Sequence, residues 1–242
     1  MKVNLLGAAI DALDMQQTVE RTAEFIKSSK PHFIITLNPE FLYQAQFQHR
    51  LLDLIGGADL VTPDGVGIVW ACRVAGCPVP ERVTGIDLLL YLTERAAREG
   101  WRIFLLGSAP GVAAEAADKL VEKYPGLQIA GTCHGYFKPE EEKDLLNRIK
   151  ESKPDLLFVA LGAPRQELWI DAHLKDLKVP AAMGIGGSLD VIAGRVPRAP
   201  LWLQRLKLEW LGRLIREPSR WRRMLVLPKF ALLVIRRHKL KQ

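Results

Sequence analysis

The sequence predicts an α/β fold: a Rossmann-like, mostly parallel sheet with helices on both faces, followed by a C-terminal basic amphipathic helical appendage. Short apolar runs alternate along the chain with segments of helical period, which is the pattern of strands wrapped by crossover helices. Glycine-rich turns close three of those runs. Charge and tryptophan content both change abruptly near residue 198.

The strand runs are His32–Leu37, Ala58–Thr62, Trp101–Leu106, Leu127–Thr132, Asp155–Leu161 and Val179–Ile185. Runs this short and this continuously apolar fit strands buried on both faces, as a parallel sheet requires. Helical patterns fall between them over Glu40–His49, Ile86–Glu99, Val112–Lys123, Glu140–Glu151 and Gln166–Leu174. With 242 residues, 48% of them hydrophobic and 25% charged, the chain can bury a full core, and disorder is not expected. No internal repeat or low-complexity segment interrupts it. The expected division is an α/β catalytic domain over residues 1–197 and a membrane-associating appendage over 198–242.

The three cysteines, Cys72, Cys77 and Cys133, lack zinc-finger spacing and are expected to be reduced, buried thiols of a cytosolic protein. Asp11 and Asp14 interrupt the N-terminal apolar run, so a signal peptide is not expected. The longest apolar stretch of the tail, Met224 to Ile235, is broken by Pro228 and Lys229 and falls short of a membrane span. The chain should lie on a membrane rather than cross it.

Polar residues gather where strands end. Thr36-Leu37-Asn38-Pro39-Glu40 closes one strand and Thr62-Pro63-Asp64-Gly65 the next. An Asp between Pro and Gly sits in a defined turn; it serves either as a cap for the helix starting near Val66 or, beside hydrogen-bonding neighbours, as a general base. Thr36, Asn38 and Asp64 should emerge on one rim of the sheet, where ligands of open α/β folds bind. The turns Gly107–Gly111, Gly162–Pro164 and Gly186–Ser188 let backbone N–H groups approach a phosphate, or simply make tight turns. Arg82, in a loop bracketed by Pro and Gly, suits a phosphate or carboxylate; Gln166, at a helix start, suits a sugar or base. Local sequence alone singles out neither. There is no G-x-G-x-x-G after a first strand and no G-x-x-x-x-G-K-[ST], so dinucleotide and P-loop readings are weak. Nor is there an Asp-x-Asp or another obvious metal cluster, and no cofactor is expected.

Five ordered segments, T-L-N-P-E-F, T-P-D-G-V-G, R-V-T-G-I-D, G-A-P-R-Q-E-L-W and G-I-G-G-S-L-D-V-I-A-G, resemble the WecG/TagA/CpsF glycosyltransferase family over nearly the whole chain. The resemblance implies an inverting transferase that moves an N-acetylmannosamine-type sugar from a UDP donor to the GlcNAc of a polyprenyl-diphosphate carrier, without a metal ion. It implies Asp64 as the catalytic base and Thr36, Asn38, Arg82 and Gln166 as pocket residues. Gly186 and Gly187, in the turn running to Asp190, would contact the donor diphosphate. Arginines and helix N-termini would carry the leaving-group charge that a metal carries elsewhere.

From Arg198 onward there are 13 basic and 2 acidic residues, a net charge of +11, which leaves residues 1–197 at −4. Three of the six tryptophans, Trp202, Trp210 and Trp221, lie in this tail. Arg213, Arg216, Arg220 and Arg223 recur at steps of three and four, and Pro218 should open a second helix. Basic, amphipathic, Trp-bearing helices bind anionic interfaces, each cation adding roughly 1 kcal/mol; a solvated helical cap on the core is the plainer alternative. No nucleic-acid motif accompanies the charge, so nucleic acid is not an expected partner. By resemblance, Arg213, Arg220 and Arg223 would meet the acceptor's diphosphate. The expected location is the cytoplasmic face of the cell membrane. Truncation after Val196 is expected to leave a folded body with little activity.

Two other classes compete: a nucleotide-binding oxidoreductase, which lacks its fingerprint, and a non-catalytic membrane scaffold, which leaves the polar rim without a purpose. The sequence does not fix the sugar. A ManNAc uronic acid donor would need an extra cation in the pocket, so a neutral N-acetyl sugar, as in teichoic acid linkage synthesis, is favoured. Oligomeric state is left open, since the tail can cover its own body or a neighbour's.

Overall fold

The computed structural model describes residues 1–28, 30–200, 203, 209 and 221–239. Six parallel strands form the central sheet: β3 (His32–Leu37), β4 (Leu60–Pro63), β5 (Arg102–Gly107), β6 (Gln128–Cys133), β7 (Leu156–Ala160) and β8 (Ala181–Gly184), in the order β4-β3-β8-β7-β5-β6. Side chains alternate strictly between two cores. Phe33, Ile35 and Leu37 of β3, Leu157 and Val159 of β7, and Ala182 of β8 enter one. Ile34, Leu156, Phe158 and Met183 enter the other. Burial on both faces is what made the inner strands read as nearly uninterrupted apolar sequence, whereas the edge strand β6 is at most half-buried. Emptying a core position such as Phe158, which is 0% exposed, would cost about 3–5 kcal/mol.

The helices divide between the faces. α1 (Met15–Lys27), α5 (Gly85–Glu99), α6 (Val112–Lys123) and α9 (Ser188–Ile192) cover the second core. α2 (Pro39–Ala45), α3 (His49–Gly57), α4 (Val66–Val74), α7 (Pro139–Ser152) and α8 (Arg165–Leu177) cover the first. The helix expected over Glu40–His49 is two helices, because the chain turns at Gln46–Gln48 before restarting at His49.

A hairpin of β1 (Lys2–Leu5) and β2 (Ala8–Asp11) precedes the sheet. Its turn places both Leu6 (φ 53°) and Gly7 (φ 89°) in the left-handed region, the geometry that matches strand twist in a two-residue hairpin. Asp11 accepts the Val61 N–H at 2.9 Å and so fastens the hairpin to β4. Two short stretches close the described chain, α10 (Trp221–Met224) and α11 (Val226–Lys239). Phe230 (2% exposed) and Val234 (0%) of α11 join the first core, where the helix packs on α2 and α4.

All three cysteines are free thiols, but only Cys72 is fully buried; Cys77 and Cys133 are half-exposed. Burial pushes the Cys72 thiol up to about 12. Among the described residues, no helix is long and apolar enough to cross a membrane.

Candidate active site

Because the strands are parallel, their carboxyl ends share one rim. The register pairs Thr36 with Thr62 and Leu37 with Pro63, so Asn38 and Asp64 leave adjacent strands at the same level. The Asp64 N–H donates to the Leu37 carbonyl at 2.9 Å, which fixes the start of its turn. Gly65 follows with φ 97°, a conformation that strains any residue with a Cβ. Gly67 approaches Pro39 so closely that an added Cβ would stand 2.7 Å from its Cγ. The N-termini of α2 and α4 are therefore in contact, and the glycines of the T-P-D-G-V-G segment answer to that contact.

The loop before α5 runs along β4. The Val83 N–H donates to the Pro63 carbonyl at 3.1 Å, and Thr84 caps α5 by accepting from the Asp87 N–H. This brings the Gly85 N–H, the first of α5, to 3.3 Å from Asp64 Oδ2. The half-buried Asp64 carboxylate thus faces the N-terminus of a 15-residue helix, where the aligned peptide dipoles favour negative charge.

Thr36 is buried and its hydroxyl donates to the Gly184 carbonyl at 3.2 Å, tying β3 to β8. On its other side a Cβ at Gly85 would lie 3.3 Å from Thr36 Oγ1, so Thr36, Gly85 and Asp64 form one cluster. Asn38 Oδ1 accepts the Phe41 N–H at 2.9 Å and caps α2. Gln166 is 3% exposed. Its Oε1 accepts the N–H groups of Gly162 (3.1 Å) and Gly186 (3.0 Å), so one amide clamps the loops that end β7 and β8. Gly186 thereby has its N–H committed to Gln166, while an added Cβ at Gly186 or Gly187 would meet open space. Gly107 is glycine for a packing reason: a Cβ there would sit 2.4 Å from the Ala160 carbonyl oxygen. The next residue, Ser108 (φ 57°), donates to Asp190 Oδ2 at 2.8 Å and joins the β5 end of the rim to α9.

Arg82 precedes Val83 in the loop that runs along β4; its side chain is 18% exposed, and its Nη1 is 3.1 Å from Glu209 Oε2. Arg213 and Arg220 lie outside the described residues; Arg223 falls in α10. Three residues were not singled out in the sequence. Glu167 is 0% exposed; its Oε1 accepts from Gln166 Nε2 at 2.7 Å, and burial pushes its carboxyl up to about 7. Arg198 and Glu209 meet beside Arg82, 11 residues apart in sequence. Only Glu167 carried a signal, its place in the G-A-P-R-Q-E-L-W segment. At the opposite edge, where the strands begin, Lys150, Lys153, Asp155 and Lys178 line a shallow cleft away from the rim. No group of three or more His, Cys, Asp or Glu able to hold a metal occurs among the described residues.

A carboxylate fixed by backbone at a ligand-binding rim, next to buried threonine and a cationic loop, is equipped to accept a proton from a hydroxyl. The model of the Glycosyl transferase WecG/TagA/CpsF family matches residues 3–242. The chain belongs to this family. It is a glycosyltransferase, with a six-stranded parallel sheet of Rossmann-like design. Among its relatives is the N-acetylglucosaminyldiphosphoundecaprenol N-acetyl-beta-D-mannosaminyltransferase of Bacillus spizizenii strain W23, 38% identical over 212 residues, which are 88% of this chain and 82% of that one. The protein of the same name from Bacillus subtilis strain 168 is 37% identical over 86% of this chain and 81% of its own. That from Staphylococcus aureus strain MW2 is 36% identical over 95% and 90%.

Proposed function

We propose that this glycosyltransferase is a hexosyltransferase that moves N-acetylmannosamine from UDP-ManNAc to the GlcNAc of undecaprenyl-diphosphate-GlcNAc, with inversion, in teichoic acid linkage synthesis. The observation that carries the mechanism is the Asp64 carboxylate, held at the rim by the Gly85 N–H and the N-terminus of α5. The substrate reading rests on the name shared by relatives 36–38% identical to the chain.

In this scheme an acceptor hydroxyl of GlcNAc attacks the anomeric carbon from the face opposite UDP. Its proton passes to Asp64, the new C–O bond forms, and the bond to the UDP oxygen breaks. One displacement inverts the configuration and needs no covalent intermediate. Charge developing on the departing diphosphate falls to fixed cations and helix N-termini. Arg82 and the Gly186–Gly187 turn are the donor-side candidates, and Arg213, Arg220 and Arg223 would hold the acceptor's diphosphate. Thr36 and Asn38 shape the pocket floor, and Gln166 acts by holding the β7 and β8 loops together.

A lipid-linked acceptor calls for a membrane surface. α4 and α11 pack together; α4 exposes Trp70 and Val74 with Arg73, and α11 exposes Leu232 and Ile235 with Arg236, apolar and cationic groups that suit an anionic leaflet. The test is transfer by the full chain from a panel of UDP-sugars to a short-chain lipid-diphosphate-GlcNAc, with and without EDTA. The expected product carries one HexNAc from UDP-ManNAc, of inverted anomeric configuration, at a rate EDTA does not change. A strict demand for manganese, or no transfer from any UDP-sugar, would overturn the reading.

A further inference from the structure

Two guanidinium groups converge on one carboxylate near the N-terminus of α5, whose first N–H meets Asp64. Glu209 Oε2 lies 3.1 Å from Arg82 Nη1, and Glu209 Oε1 accepts from Arg198 Nε at 3.2 Å. Arg198 reaches on through Nη2 to Asp87 Oδ1 at 2.7 Å. The other Asp87 oxygen accepts from the Thr84 hydroxyl at 2.6 Å. Thr84 is the cap of α5, and the next N–H is the one that meets Asp64. A continuous chain of charge-assisted contacts therefore links the C-terminal segment to the proposed base.

Burial makes these contacts stronger than ordinary surface pairs. The side chains of Glu209, Arg82 and Arg198 are 14%, 18% and 26% exposed. Screening is reduced there, and the carboxylate has a guanidinium on each oxygen. Charge also gives Glu209 a distinct role. From Arg198 to the end of the chain the only acidic residues are Glu209 and Glu217, against 13 basic ones. So cationic a segment is repelled by Arg82 unless it brings an anion to it, and Glu209 is that anion.

We infer that Glu209 is the latch by which the C-terminal segment docks at the α5 N-terminus, and the positioning residue that holds Arg82 and Arg198 beside Asp64. The positioning half rests on the reading of Asp64 as the base; the docking half does not. A guanidinium has five N–H donors, so Arg82 can hold Glu209 through Nη1 and still present others to a phosphate. The sharing sets its plane and directs those donors.

The test uses the full chain and the variants Glu209→Gln, Glu209→Asp and, as a control on the second tail acid, Glu217→Gln. Hydrogen exchange over residues 198–212 reads docking; kcat and KM for the lipid acceptor read positioning. In Glu209→Gln we expect exchange there to rise about tenfold or more and kcat/KM to fall about tenfold or more, with circular dichroism unchanged. Glu209→Asp keeps the charge and should recover part of both, and Glu217→Gln should change neither. Wild-type exchange in Glu209→Gln would overturn the latch whatever the activity. Faster exchange with unaltered kcat/KM would overturn the positioning role. Absence of transfer by the wild-type chain would instead sink the proposed reaction and leave the exchange result standing.

Discussion

Replacing Glu167 by Gln should remove a pH dependence from the protein's stability. Glu167 is fully buried; one carboxyl oxygen takes the Gln166 Nε2 hydrogen bond and the other has no hydrogen-bond partner among the described residues. Burial, opposed by the Gln166 hydrogen bond, raises its carboxyl from 4.5 to about 7. An acid whose folded value is raised holds its proton more tightly folded than unfolded. Its contribution to stability is therefore fully present below pH 4.5 and is lost as pH rises to about 7. Two and a half units correspond to a loss on the order of 3 kcal/mol, of which about 2 should fall between pH 5.5 and 8. Urea unfolding followed by tryptophan fluorescence at those two pH values measures it. The wild-type midpoint should fall with pH more steeply than that of Glu167→Gln, whose amide can still accept from Gln166 but cannot ionise. Equal pH dependence in the two proteins would refute the argument, because the difference between them isolates this one carboxyl from every other titrating group.

Asp64→Asn should lower transfer about 10²–10⁴-fold while lowering stability only by about 1 kcal/mol or less, since an amide can still accept from the Gly85 N–H but loses the charge that the α5 N-terminus favours. Gly184→Ala would place a Cβ 2.5 Å from Gln166 Nε2 and 2.8 Å from Glu167 Oε1, and urea unfolding should show a loss of about 1–3 kcal/mol together with reduced activity as the two loops part. Leu232→Glu with Ile235→Glu, both at exposed positions of α11, should weaken co-sedimentation with anionic phospholipid vesicles and leave circular dichroism unchanged.

Most strands were legible because burial on both faces left nearly unbroken apolar runs, and β3 has the expected bounds to the residue; the edge strand β6, with no fully buried residue, was the weakest of the six. The hairpin was not. Its turn is Leu6-Gly7, and Leu is not a residue that advertises a positive φ. α1 escaped because its buried face includes Thr18 and Thr22, whose hydroxyls bond back to the carbonyls of Asp14 and Thr18, so the apolar period is weak although a capping box at Asp14 and Gln17 opens the helix. In the site, Asp64 and Thr36 were legible as polar residues at strand ends. The clamp of Gln166 on two loops, the burial of Glu167 and the sharing of Glu209 by two arginines depend on contacts between distant segments, and no local pattern encodes them. Gln166, expected to meet a sugar or base or simply to open its helix, also tethers the β7 and β8 loops, because its oxygen accepts two backbone N–H groups.

The proposed base and the cations of the rim differ in how they are held, and the difference decides which variants inform on mechanism. Asp64 is placed by backbone groups of the body: the Leu37 carbonyl, the turn at Gly65 and the Gly85 N–H. If Asp64 is the base as proposed, this placement spares the reaction any reorganisation of it. The cations depend on the C-terminal segment, which contributes Arg198 itself and the carboxylate on which Arg82 rests. Truncation after Val196 removes both, so it should leave the base in place and the cationic side of the rim undone. It also removes Phe230 and Val234 from the first core and uncovers the apolar surfaces of α2 and α4. The truncated body should accordingly unfold at a lower urea concentration, by about 2–5 kcal/mol for each large side chain lost from the core. Loss of activity in that protein would follow from either cause. Glu209→Gln separates them: it leaves Phe230 and Val234 seated and cuts only the electrostatic tie. If that variant transferred sugar as fast as wild type while the truncated chain did not, the segment's contribution would lie in its apolar contacts, and the charge-based account of the rim would fail.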